Sequence, residues 1–383
     1  MGPSRAIGLL RDYVAIPSVN PMGRDDVPSD VVGERRLAEH VREQLRRLGL
    51  DAELVGAGER RGVLAEARPS HVAGAALLVA SHLDTVPVDG MEIDPFVPRL
   101  AEGRLYGRGA CDTKSGLAAL VAALERVLAR GRLRRPLVVL GEADEEYGSV
   151  GVGDALAALG PRRPGWVLAT EPTGLRLATA HKGIGFARIE ARGLACHASE
   201  PARGRNALYD IARAAVALET LSAELGRRVD PRLGAATLSV GMLAGGHAPN
   251  VVPDRAWLVA DRRLLPGESA ESVRAEIEAA LARHGVREVE VACHEAKPPL
   301  DTEESHPGVR ACRATLAALE LPDAPTTVAF GTDAGAFAAR GLPGVVMGPG
   351  SIEQAHTARE WVETRQVERM EEFFVRLLET PPA

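Results

Sequence analysis

Pro136 is followed by four apolar residues, Leu137–Leu140, and the chain then turns acidic through Glu142, Asp144, Glu145 and Glu146 before Gly148. An apolar run this short, bounded by a proline and a polar turn, reads as a buried strand. Its acidic continuation emerges at the carboxyl end of that strand, where open α/β sheets place their ligands. Glu145 and Glu146 are adjacent, so the two side chains need not share one task. One can ligate a metal while the other handles a proton. A Glu-Glu pair by itself is an ordinary solvated loop; the partners supplied by the rest of the chain decide the matter.

A chain of 383 residues has room for two domains, each with its own core. A net charge of −6 leaves no basic footprint for nucleic acid, and 3% aromatic content leaves little surface for stacking bases. Cys111, Cys196, Cys293 and Cys312 are scattered, with no CxxC pair, which reads as reduced thiols in a cytoplasmic protein. The N-terminal residues mix charge with apolar side chains, unlike a signal peptide, and no apolar run is long enough to span a membrane.

Residues 1–180 alternate strand and helix patterns. Ser4 caps a helix to about Ala15, and Leu37, Val41, Leu45 and Leu48 form one apolar stripe closed by Gly49. Ala75–Ser81 is an apolar strand running into His82 and Asp84. Gly107–Gly116 is a turn-rich loop that opens a helix to about Arg130, and Trp166–Thr170 is a strand ending at Glu171. This alternation predicts an α/β fold, a mostly parallel sheet with helices on both faces. After Thr179 the pattern changes. Strands near Gly183–Arg192, Ala235–Leu243, Ala256–Arg263 and Val286–Cys293, with helices Asn206–Leu225 and Ser269–His284, predict a compact α+β insertion. The expected organisation is a discontinuous catalytic domain, residues 1–180 and 296–383, interrupted by a second domain, residues 181–295.

Four strand ends thus deliver metal-capable groups: His82 with Asp84, Glu145 with Glu146, Glu171, and finally His356. Asp112 joins them from a glycine-rich loop. A mixed nitrogen and oxygen set suits zinc, cobalt or manganese better than magnesium or calcium. Two histidines with four carboxylates fit two metals sharing one carboxylate, ~3.5–4 Å apart.

In segments 81–87, 107–116, 144–148, 171–173 and 355–356 the chain resembles the M20 di-zinc aminoacylases and peptidases, and the resemblance runs over essentially its whole length. It implies a zinc-peptidase-like catalytic domain with an inserted ferredoxin-like dimerisation or lid domain. It also implies two divalent ions, zinc first and cobalt as an alternative. His82, Glu171 and bridging Asp112 would hold one; Asp112, Glu146 and His356 the other. Glu145 would be the general base, and Asp84 would accept the free ring N–H of His82. His197, in the insertion, would reach into the partner subunit's site of a homodimer and hydrogen-bond the developing oxyanion. Asn250 and Arg263 would bind the substrate's α-carboxylate, with Arg262 the alternative on the same strand.

The implied reaction is hydrolysis of an N-acyl-L-amino acid. Residues 171–183 and 348–356, followed by Glu360, look like the acetylornithine deacetylases of the family, so N-acetyl-L-ornithine is the first expectation. Desuccinylation of succinyl-diaminopimelate, another N-acyl-amino-acid deacylation and glutamate carboxypeptidase activity stay open, as does an inactive binding protein on the same fold. His181 reads as a packed structural residue.

Overall fold

Two of the apolar runs become the middle of one sheet. In the computed structural model, which describes residues 2–69, 72, 74–161 and 164–382, the spatial order is Asp51–Ala57, Arg60–Ala67, Leu137–Glu142, Leu77–His82, Trp166–Ala169, Gly344–Val346, and three further short strands complete the nine. Leu137–Glu142, Leu77–His82, Trp166–Ala169 and Gly344–Val346 run parallel to one another. The hairpin Asp51–Ala57/Arg60–Ala67 adds an antiparallel edge. The sheet is therefore mixed, with a parallel centre.

The strands of that centre are apolar throughout because both faces are covered. Successive side chains alternate between two cores. Leu77, Val79, Leu137, Val139, Leu168 and Val345 share one with helices Arg5–Val14, Lys114–Ala129 and Thr364–Glu379. Leu78, Ala80, Val138, Leu140 and Val167 share the other with helices Val150–Leu159 and Asp333–Ala338. Each fully buried leucine or valine contributes roughly 1.5–3 kcal/mol over its exposed state. Parallel strands have their carboxyl ends on one side of the sheet, so the segments after Ser81, Glu142, Ala169 and Val346 all emerge there. Gly116 lets helix Lys114–Ala129 start against that edge: a Cβ at this position would lie 2.3 Å from the Thr170 side chain.

The chain divides into two compact units, Met1–Thr179, Asp301–Thr327 and Thr332–Ala383 in one, Ala180–Leu300 and Val328–Gly331 in the other. The second unit carries a four-stranded antiparallel sheet in the order Thr237–Gly245, Arg255–Leu264, Gly183–Arg192, Val289–Lys297. Ala187, Ile189, Leu258 and Ala260 point to one face, where Ile211, Leu218, Val273 and Ile277 of helices Ala207–Leu225 and Ala270–Arg283 cover them. Both helices begin at side-chain caps: Asn206 accepts from Leu208 N–H, and Ser269 forms a capping box with Ser272.

Several elements differ from the sequence reading. The last strand of the second unit is Val289–Lys297, three residues later than expected at its start, and a small sheet of Arg99–Ala101, Arg104–Tyr106 and Trp361–Glu363 has no counterpart there. Among the described residues no helix is long and apolar enough to cross a membrane.

His181 is fully buried at the end of strand Ala178–His181, its Nδ1 2.9 Å from the Lys182 carbonyl. Burial, the largest cause, holds its pKa down at about 4. A base whose folded pKa lies below its unfolded value stabilises the fold fully above the unfolded value, near 6.5, and loses that contribution as pH falls through 4. Acidification over this range is expected to cost about 3 kcal/mol through this one residue. Denaturant titrations of wild type and His181→Gln check it: the variant should show a visibly shallower loss between pH 6.5 and 4.

Candidate metal centre

His82 ends the strand Leu77–His82 and is 1% exposed. Its Nδ1 donates to the backbone carbonyl of Asp84 at 2.9 Å, which leaves the Nε2 lone pair for a ligand. Nε2 lies 3.0 Å from Asp112 Oδ1 and 3.9 Å from Glu171 Oε2. A second histidine arrives from the loop after strand Gly344–Val346. His356 Nε2 lies 3.3 Å from Asp112 Oδ2 and 3.1 Å from Glu146 Oε1. The two oxygens of Asp112 thus face two different groups, His82 with Glu171 and His356 with Glu146. Ligand atoms about 2.0–2.1 Å from a tetrahedral divalent ion sit about 3.3 Å from one another, so these separations fit edges of two coordination shells. His82, Asp112 and Glu146 also offer ligand atoms all within 4.8 Å of one another.

The electrostatics carry the same signature. Burial pushes the pKa of His82 down, but the carboxylates of Asp112, Asp84, Glu171 and Glu145 outweigh it and hold the ring well above its ordinary value. His356 is raised to about 11, with burial opposed by Asp112 and Glu146. Burial raises Asp112, yet His356 and His82 leave it well below the usual carboxylate range. Burial is also the first cause that drives Glu171 up, opposed by His82 and reinforced by Glu145 and Asp112. Negative charge is crowded here, and positive charge at the imidazoles balances it. A divalent cation held there would supply that charge instead, displacing the protons.

Asp84 does more than the sequence expectation. The closest acceptor for the His82 ring is the Asp84 carbonyl, and the Asp84 carboxylate stands at 3.4 Å. That carboxylate also accepts the backbone N–H groups of Glu145 at 3.1 Å and Glu146 at 3.0 Å. It therefore fixes the turn that presents the acidic pair. Asp144, in the left-handed region at φ 64°, makes the turn, and an aspartate adopts that region more readily than most residues. Glu145 is 7% exposed and close enough to act electrostatically on His82 and Glu171.

A layer beneath holds these residues and was not legible in the sequence. Asn20 Nδ2 donates to Asp84 Oδ2 and Asp144 Oδ1, both at 2.9 Å. Arg60 pairs with Asp144, and Glu34 Oε1 accepts the Asp144 N–H at 3.0 Å. Burial, with the charge of Asp84, pushes Glu34 up to about 8. None of these residues belongs to a local motif; each comes from a distant part of the chain.

The remaining candidates lie in the second unit. His197 is exposed on a loop paired with the segment around Val251: Ala198 N–H donates to the Asn250 carbonyl at 3.0 Å and Val252 N–H to the Cys196 carbonyl at 2.9 Å. The backbone N–H of Ser199 donates to His197 Nδ1 at 3.2 Å, so that nitrogen is an acceptor and Nε2 carries the proton outward. Asn250 is exposed on the neighbouring segment. Arg262 is fully buried on the core face with Glu268 and Glu276, whereas Arg263 points to the opposite face and holds Asp261 at 2.9 and 3.2 Å.

The chain is 32% identical over 355 residues to acetylornithine deacetylase from Myxococcus xanthus, covering 89% of this chain and 90% of that one. It is 31% identical over 383 residues to acetylornithine deacetylase from Proteus mirabilis strain HI4320, covering 97% and 96%. Its fold matches an M20-family metallo-carboxypeptidase from Sulfolobus solfataricus with a TM-score of 0.80 at 20% identity, over 98% of this chain and 99% of that one. Residues 78–380 match the profile of peptidase family M20/M25/M40, and the chain belongs to that family.

Proposed function

We propose that this hydrolase cleaves the amide bond of N-acetyl-L-ornithine to acetate and L-ornithine with the help of two divalent ions, zinc or, as an alternative, cobalt. The observation that carries the two-metal reading is the division of Asp112, one oxygen beside His82 and the other beside His356. The substrate reading draws on the two relatives named acetylornithine deacetylase.

His82, Glu171 and Asp112 would hold one ion, and Asp112, Glu146 and His356 the other. Ions bound there would lower the pKa of a shared water to near neutrality and polarise the substrate carbonyl. Glu145 takes the proton of the attacking water and returns it to the leaving amine, which makes it general base and then general acid. Asp84 keeps Glu145 in place through its backbone N–H. His197 donates from Nε2 to the developing oxyanion, and the tautomer enforced by Ser199 supports that role. We assign it to act on the partner copy's substrate in a homodimer. Asn250 and Arg263 bind the α-carboxylate; a guanidinium has five N–H donors, so Asp261 leaves some of them for the substrate. The composition and reduced cysteines support a cytoplasmic location.

The substrate is tested by hydrolysis of N-acetyl-L-ornithine against N-succinyl-L,L-diaminopimelate with zinc or cobalt added. Acetylornithine is expected to have the higher kcat/KM, by roughly tenfold or more, as a misfitting acyl group costs about 1–3 kcal/mol. A preference for the succinyl substrate, or turnover of neither beside another acyl amino acid, would overturn the substrate and leave the hydrolase class standing.

A further inference from the structure

The segment Arg108–Asp112 curls so that its donors converge on one point, and the carboxylate of Glu360 fills that point. Oε1 accepts from Cys111 N–H at 2.8 Å and Asp112 N–H at 3.0 Å. Oε2 accepts from Gly109 N–H at 3.1 Å and the Arg108 guanidinium at 2.8 Å. Below this, Gly107 N–H donates to the Glu360 carbonyl at 3.1 Å. Gly109 adopts φ 81°, and a Cβ there would press on Thr85 and Lys114, so glycine is required for the curl. Glu360 is fully buried and Arg108 is 3% exposed.

A carboxylate has about four acceptor positions, and here four donors occupy them. Glu360 therefore has no lone pair left for a metal ion. Its position in the chain gives the arrangement its meaning. The loop that it gathers carries Asp112, and its own loop carries His356 four residues earlier. Asp112 and His356 are the two groups whose Oδ2 and Nε2 stand 3.3 Å apart.

We propose that Glu360 is a positioning residue of the metal centre. It fixes the backbone at Asp112, and with it the directions of that carboxylate's two oxygens, and it locks the His356 segment to the same loop. This rests on the two-metal reading above. Glutamine at this position cannot reproduce the contact, because its NH₂ faces two donors whichever way the amide is turned. Aspartate keeps both oxygens and withdraws them by one methylene. The order of damage is therefore Gln above Asp.

The test uses full-length wild type, Glu360→Gln and Glu360→Asp, stripped with chelator and titrated with zinc against a chromophoric competitor. Melting temperature is recorded with and without zinc. Zinc affinity should fall about 10–100-fold in Glu360→Gln, as for other supporting residues of metal sites, and less in Glu360→Asp. The zinc-induced rise in Tm should shrink in the same order. Two zinc ions bound with wild-type affinity by the variants, however much their zinc-free Tm has dropped, would reduce Glu360 to a brace of the fold and overturn the proposal. If Glu360→Gln does not fold, wild-type zinc affinity in Glu360→Asp overturns it equally. Wild-type protein that binds no zinc would instead overturn the two-metal reading, and the inference with it.

Discussion

Glu145→Ala lowers kcat on the acyl amino acid by ~10²–10⁴-fold or more while both metals stay bound. The expectation follows from how the acidic turn divides its work. Glu146 Oε1 sits 3.1 Å from His356 Nε2, as a fellow ligand would. The metal-capable group found among the described residues contains His82, Asp112 and Glu146 without Glu145. Glu145 is anchored by its backbone to Asp84, so trimming its side chain leaves the turn and the presentation of Glu146 in place. Elemental analysis beside steady-state kinetics checks this. Loss of metal in parallel with loss of activity would make Glu145 a ligand; unchanged kcat would remove it from the chemistry.

Asp112→Ala is expected to empty both metal positions, whereas Glu146→Ala empties one. Among the described residues, Asp112 is the one whose two oxygens each lie within 3.3 Å of a different imidazole. It is also the hydrogen-bond partner that does most to hold both rings in their charged form. Its removal should weaken metal binding by more than the ~10–100-fold that a supporting residue costs. Activity should fall at least as far as in Glu145→Ala. Metal content after gel filtration distinguishes the variants: about two ions per chain in wild type, one in Glu146→Ala and fewer in Asp112→Ala. Retention of one tightly bound ion in Asp112→Ala would contradict the shared ligand.

The architecture was legible where a local pattern carries it. The apolar runs before His82 and before Glu142 mark central strands, because burial on both faces suppresses any polar alternation. Once those strands are parallel, the positions just beyond their ends must gather on one side, which is why His82, Glu145, Glu146 and Glu171 were visible as a set. The helix expected over Ser269–His284 is found as Ala270–Arg283, with Ser269 as its cap. What stayed hidden depends on long-range contact. Asn20, Glu34 and Arg60 reach Asp84 and Asp144 across 64, 110 and 84 residues of chain, and no spacing rule connects them. The small sheet that pairs Arg104 with Glu363 fails for the same reason, since each strand has only three residues. Asp84 was recognised as a supporting residue, but its hold on the Glu145–Glu146 backbone requires the coordinates of a turn. Glu360 looked like a signature residue only; its work lies in three backbone donors of a loop some 250 residues away.

The most direct measurement is anomalous diffraction at the zinc edge from crystals of the wild-type protein grown with zinc. Two peaks are expected on either side of the Asp112 carboxylate, one against His82 and Glu171 and the other against His356 and Glu146. A single peak, or two peaks that do not share Asp112, would contradict the account of this site as a two-metal hydrolytic centre.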